Sequence, residues 1–245
     1  MLHRVAEGGF AFLEGVFPYS QGAVALDGYA IERVRFARPL PLAEGFRRIA
    51  AHLERLGRPK TAFCACELRS PKPFSFTGFG DFNRGYVAVL EQWGLFRDGR
   101  NAVARSNVAP DIDPPAEPSF YAFSYTVPAA HEGRDFVVAG SGEWPEGGRF
   151  PEDIVQGFPN KVAWVLDMME ARMRGLGGFA FSDASAVQVY TVRAFSMELV
   201  ARRAGSAIAW HYCRPPIEGL EFEMDTRCVS LERQASAAPR MPLGM

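Results

Sequence analysis

One order of elements runs through this chain twice, and it leaves few architectures open. Phe46, Ile49, Leu53 and Leu56 recur at the three-and-four spacing that puts an apolar stripe on one side of a helix, and the pattern stops at Gly57. Val162, Val165, Leu166, Met169, Met173 and Leu176 repeat it, stopping at Gly177. Each helix leads into a strand-like stretch, 61–68 and 186–192, and then into a second helical segment. Phe82, Tyr86, Val89, Leu90 and Trp93 mark that segment in the first half, and the shorter 194–203 marks it in the second. Strand, Pro-Pro turn and strand close each half: 103–109, Pro114-Pro115 and 119–127, then 207–212, Pro215-Pro216 and 220–230. The second copy is shorter, and the Gly- and Pro-rich stretches 70–80 and 93–100 are expected to be loops that only the first carries. Strands and helices mixed in this order predict an α+β protein of two tandem domains, 1–130 and 131–245, each a mixed sheet with helices on one face. The break is expected at Ala129-Ala130-His131-Glu132-Gly133. Past Glu232 little remains to bury, so a frayed tail is expected there.

Two half-motifs sit on opposite halves of this repeat. The first half carries Pro18-Tyr19-Ser20-Gln21 and Ala104-Arg105-Ser106-Asn107-Val108, with Phe82-Asn83-Arg84-Gly85-Tyr86 between them. The second carries Ser141-Gly142-Glu143-Trp144-Pro145 and Phe222-Glu223-Met224-Asp225. Together these pieces resemble the RidA (YjgF) family, over residues 16 to 230 or so, more strongly in the first half. The resemblance implies two RidA-like domains, hydrolysis of enamines and imines of amino acids to keto acids and ammonia without a cofactor, and a compact homo-oligomer, a trimer or a pseudo-symmetric assembly. It also places Arg105 in the strand that binds the substrate carboxylate, and Glu223 where the family's acidic residue orients water or relays a proton.

The residue types suit those tasks. A guanidinium offers a planar fork for a carboxylate and keeps its charge when buried, and apolar Ala102, Val103 and Ala104 precede Arg105. Hydrolysis of an imine needs a base for the attacking water and an acid for the leaving ammonia, and one carboxyl of tuned pKa can serve as both. Along Leu220 to Asp225 the alternation turns Glu221, Glu223 and Asp225 to one side, so Glu221 stands as the acidic residue if the register slips, and a solvated acidic face is the plain alternative. Aligned on the Pro-Pro turns, Arg105 meets Ser206 and Glu223 meets Ala122, so each half lacks the group the other holds. Tyr19, with a hydroxyl that can donate to a carbonyl-like atom, and Ser141-Gly142, whose backbone can approach a carboxylate, complete the candidate set. The aromatic stretch from Phe74 to Phe79 is expected either to cover a planar ligand or to pack at a subunit interface.

Other classes of function find little support. A net charge of −1 with no basic block argues against nucleic acid as a partner. No secretory leader and no apolar run of membrane length stand out, so a cytoplasmic protein that does not engage membranes is expected. Cys64, Cys66, Cys213 and Cys228 lack paired C-x-x-C spacing and the four histidines are scattered, so no metal site is expected and the cysteines are assigned to the interior. Ser20 lacks the flanking pattern of a hydrolase nucleophile. The leading expectation is a cofactor-free hydrolytic deaminase of a small unsaturated amino acid, with a 2-aminomuconate-like dicarboxylate as one permitted substrate. A chorismatase-like hydrolase of a carboxylated enol ether and a non-catalytic binder of small acids are the alternatives.

Overall fold

The protein is described by a computed structural model, covering residues 1–130, 134–205 and 207–235. His131-Glu132-Gly133 at the expected domain break, Ser206, and the expected frayed tail past Ala235 lie outside the described residues.

Short strands β1 (Leu2–Val5), β2 (Phe10–Leu13) and β3 (Gly22–Ala25) precede the long β4 (Tyr29–Pro41). Helix α1 (Leu42–Arg55) follows, burying Phe46, Ile49 and Leu53 as its spacing requires, and Gly57 then takes the positive φ of 62° that ends it. After β5 (Phe63–Arg69) come α2 (Phe76–Gln92), β6 (Phe96–Arg97), β7 (Arg100–Asn101), β8 (Ala104–Pro110), β9 (Ser119–Pro128) and β10 (Phe136–Gly142). Helix α3 (Phe158–Gly177) buries Val162, Val165, Leu166, Met169, Met173 and Leu176. The chain continues through β11 (Ala186–Tyr190), α4 (Glu198–Ala204), β12 (Ile208–His211), β13 (Cys213–Arg214), β14 (Glu223–Cys228) and β15 (Leu231–Ala235).

The strands form two mixed sheets, ordered β1-β2-β3-β10-β14-β11-β12 and β13-β8-β5-β9-β4-β15, beside a small β6-β7 hairpin. The result is an α+β fold in which α1 and α2 pack over the second sheet and α3 and α4 over the first. Sheet membership crosses between the halves: β1 to β3 lie in the sheet of β10, β14, β11 and β12, while β13 and β15 edge the sheet of β4, β5, β8 and β9. Where the sheets face each other, Phe10, Phe12, Ala23 and Ala25 join the core of the second sheet. That layer also holds charged pairs. Arg33 pairs with Glu67 at 2.6 Å and with Glu232 at 3.1 Å, and Arg227 reaches Glu232 at 2.7 Å. No helix among the described residues is long and apolar enough to cross a membrane.

Four local expectations are corrected. The stretch 70–80 is a loop only to Ser75, whose hydroxyl caps α2 by accepting the Gly78 N–H at 3.1 Å, so the helix starts well before Phe82 despite two glycines in its first turns. The stretch 93–100 is no plain loop either, because β6 and β7 pair within it. Helix α4 begins at Glu198 rather than 194. Strand β14 begins at Glu223 rather than 220, since the backbone N–H groups of Glu221 and Phe222 are taken by the Glu143 carboxylate at 2.6 and 3.1 Å.

Candidate active site

Arg105 is the second residue of β8, the strand that packs against β10 where the two sheets meet. Its side chain lies under α2, with the guanidinium carbon 4.8 Å from the ring centre of Tyr86, 5.5 Å from Phe79 and Tyr19, and 5.7 Å from Phe82. Only 2% of the residue is exposed, yet none of the three guanidinium nitrogens has a hydrogen-bond partner among the described residues. Aromatic faces attract a cation but do not use its N–H groups. Five donors kept dry and unused are costly, so the arrangement calls for an anion from outside the chain.

The guanidinium opens into a cavity of about 510 Å³, in the size range of small-molecule sites. All five sequence candidates, Tyr19, Arg105, Ser141, Gly142 and Glu223, line it. Glu221 does not. Its carboxylate is held away by Lys161 at 2.7 Å and Arg193 at 2.5 Å, so the alternative register is set aside.

Glu223 is 3% exposed, at the start of β14 opposite Gly142 and Tyr190. Burial, and then the charge of Asp225, push its carboxyl well above the usual carboxylate range, against the pull of Arg69 and Arg105. A carboxyl whose surroundings favour its protonated form therefore faces the cavity. Gly140 makes room for it, since a Cβ there would collide with Glu223 Oε1. Gly142 lines the wall, where a Cβ would instead press on Leu220.

Tyr19 is half-buried on a tight turn closed by paired Val16 and Tyr19 backbone bonds, and Ser20 fixes that turn to β8 through Val103 O at 3.0 Å. Burial, then Glu146, push its hydroxyl up to about 12, so it serves as a donor and not as a base. The aromatic stretch from Phe74 docks within the chain: Phe74 exchanges backbone bonds with Pro216 and Glu218, and Phe76 stacks on Phe150 at 5.1 Å and meets Trp144 edge-on at 5.8 Å. Phe76, Phe79, Trp144, Ile217 and Leu220 give the cavity its apolar wall.

Three groups in or beside the cavity were not singled out as site residues by the sequence. Asn107 follows Arg105 on the same side of β8, with Oδ1 taken by Ser70 and Nδ2 unpartnered. Arg172 of α3 donates to Ala139 O, Gly140 O and Glu146, fixing the strand beside Glu223. Glu143, fully buried against Lys161 at 3.0 Å, anchors the approach to β14. An i, i+2 spacing flags Asn107 once Arg105 is chosen; the others depend on contacts across the fold.

Comparison with known proteins gives a family and a likeness of fold. A family model described as 2-aminomuconate deaminase CnbZ matches residues 2–233. The chain is 45% identical over 236 residues to a 2-amino-5-chloromuconate deaminase of Comamonas testosteroni, covering 90% of this chain and 93% of that one. Among solved structures, a chorismatase crystal structure superposes with a TM-score of 0.52 at 14% identity, covering 88% of this chain and 79% of that one. That likeness concerns the fold alone.

Proposed function

The chain belongs to the 2-aminomuconate deaminase family CnbZ, and from that premise we propose that it is a cofactor-free hydrolytic deaminase of an aminomuconate-like dicarboxylate, working at the cavity between Arg105 and Glu223. The carrying observation is the dry guanidinium of Arg105, with no hydrogen-bond partner for any nitrogen among the described residues, opening onto a cavity that the buried Glu223 carboxyl also faces. One carboxylate of the substrate pairs with Arg105, and Asn107 Nδ2 supplies a further donor beside it. The 2-amino group then lies toward Glu223 and Tyr19. Glu223 gives its proton to the carbon chain conjugated with the 2-amino group, which turns the enamine into an iminium, and as a carboxylate it takes one from the water that attacks C2. It returns that proton to the nitrogen of the carbinolamine, and as the C–N bond breaks the proton of the new C2 hydroxyl passes back to Glu223, so that ammonia leaves a 2-keto acid and the acid is restored. Water in and ammonia out balance the reaction. Tyr19 donates to the oxygen forming at C2.

Ammonia release from 2-aminomuconate and 2-amino-5-chloromuconate tests this reading, and release from neither would overturn it. A chorismatase-like reaction rests on a likeness that extends to fold only, and a pure binding role leaves the protonated Glu223 unused.

Halves 1–130 and 131–245 are diverged copies of a RidA-like unit that exchange edge strands, supported by the repeated order of helix, strand and helix. The pairing of one copy's Arg105 with the other's Glu223 follows from that exchange. A homo-oligomer, a trimer or a pseudo-symmetric assembly, would cover the β12 edge, where Trp210 is 44% exposed. Light scattering that finds a monomer at micromolar concentration would remove this part. Four free cysteines suit a cytoplasmic location.

A further inference from the structure

Two residues along β14 from Glu223, and on the same side of the strand, stands a second buried carboxylate that touches no part of the cavity. Asp225 is 4% exposed. Three neutral donors from two other strands converge on it: Ser106 Oγ of β8 at 2.6 Å and Tyr190 OH of β11 at 2.8 Å on Oδ2, and Gln188 Nε2 of β11 at 2.8 Å on Oδ1. The nearest cation, Arg227 Nη1, stays 3.9 Å away. Gln188 is itself backed by His211 at 3.1 Å. Donors of this kind orient a carboxylate without cancelling its charge, unlike the close Arg33–Glu67 pair in the same layer at 2.6 Å.

We propose that Asp225, pinned by Ser106, Tyr190 and Gln188, is a positioning residue that holds a fixed negative charge beside Glu223 and so keeps the proton on the acid that serves catalysis. The inference rests on the reading of Glu223 given above, and it adds what sets that residue's protonation. The charged groups that face Glu223 are Asp225 of its own strand, Arg69 of β5, Arg105 of β8 and Glu143 after β10. Arg69 is drawn off toward Tyr121, 4.0 Å from its ring, and bonds Leu68 O at 2.9 Å. Arg105 is neutralised when the substrate carboxylate arrives. Asp225, like Arg69 and Glu143, stays in place through the cycle, and as the like charge two residues away on the same strand it disfavours ionisation of Glu223. Substrate binding then strengthens the effect: the anion that Arg105 captures removes its pull on the Glu223 proton, so the acid is armed when there is something to protonate.

Asp225→Asn isolates the charge. An amide nitrogen in place of Oδ2 donates its two hydrogens to the Ser106 and Tyr190 hydroxyls, which rotate to accept, and Oδ1 still accepts from Gln188. The experiment compares kcat against pH for wild type and Asp225→Asn with 2-aminomuconate. In parallel, the Glu223 carboxyl is titrated by NMR in protein carrying glutamate labelled at the side-chain carboxyl carbon, with Glu223→Gln assigning the signal. The expected result is an alkaline limb displaced to lower pH, with the variant about tenfold slower at the alkaline end and near wild type at the acid end, and a Glu223 signal that titrates correspondingly lower. A Glu223 signal that titrates at the same pH in both proteins would overturn the proposal. Because the NMR titration needs no turnover, failure of the deaminase reading, seen as no ammonia from the wild type, is told apart from failure of this one.

Discussion

At the scale of single residues, the site turns on two groups left in unfavourable states, and each gives a prediction. Arg105 is a buried cation without a hydrogen-bonded partner. Lysine keeps the charge but loses the fork, so Arg105→Lys is expected to lower kcat/KM by about 10- to 100-fold, the equivalent of about 1.5–3 kcal/mol for hydrogen bonds to a charged group; steady-state kinetics with ammonia detection reads this directly. Glu223 carries the opposite strain. Its folded carboxyl titrates well above the ordinary 4.5, so above that pH the unfolded chain has released a proton that the folded chain still holds, and stability falls as pH rises through this window. Glu223→Gln is therefore expected to cut kcat about 10²–10⁴-fold and yet raise Tm at pH 7, with the stability gain vanishing near pH 4, where both states are neutral. Thermal melts at the two pH values check it, and a Tm that falls at pH 7 would count against a protonated Glu223. Arg105, Glu223, Tyr19, Ser141 and Gly142 were legible because each lies in a short motif whose residue types suit an acid-binding, proton-moving site. Gly140 and Arg172 were not, since a glycine matters there only because the carboxyl of a non-adjacent segment comes to rest on it.

At the scale of elements, helices α1 and α3 were plain in the sequence because their apolar stripes are regular and each ends at a glycine. The start of α2 was hidden by Pro71, Pro73, Gly78 and Gly80, which signal a loop. What overrides them is local and tertiary at once: the Ser75 cap, and a first turn whose Phe76 packs on Phe150 and Trp144 of the other half. The delayed start of β14 has a similar cause. Glu143 takes the N–H groups that would begin the strand and holds the turn that delivers Glu223, with Lys161 compensating its charge. Glu143→Gln strands the buried Lys161 with only the partly exposed Glu221, and is expected to cost about 3–5 kcal/mol and to lower kcat as the Glu223 segment loosens. Replacing the pair together, Glu143→Leu with Lys161→Met, is expected to recover much of the stability but not the kcat, because nothing then holds the Glu221 and Phe222 N–H groups. Denaturant unfolding beside kinetics separates the two effects, and full recovery of kcat in the double variant would show that the anchor is not needed.

At the scale of the whole molecule, the strand order is what the sequence concealed. A repeat states that the same elements occur twice, but not that β1 to β3 pair with β10 while β15 runs parallel to β4, since pairing partners distant in sequence leave no periodic trace. Charged residues line the side of the second sheet that meets the first, where Glu67 of β5 sits beside Arg33 of β4, with Arg69 of β5 and, from the first sheet, Arg227 of β14 close by. Burial pushes the Glu67 carboxyl up, but Arg33, then Arg227, outweigh it and hold the carboxyl down at about 2. The stabilisation this gives is complete above the ordinary 4.5 and is lost as pH falls toward 2, the reverse of the Glu223 case. Acid should therefore weaken this charged layer, and the folded state is expected to fail between about pH 4.5 and 2. Glu67→Gln leaves Arg33 and Arg69 without their shared anion, so it is expected to cost about 3–5 kcal/mol at pH 7. Because the variant lacks the titrating group, its remaining stability should depend less on pH across that acid window. Urea unfolding of both proteins at pH 7, 5 and 3 checks this, and parallel losses between pH 5 and pH 3 would show that the acid sensitivity of the fold lies outside the layer that joins its sheets.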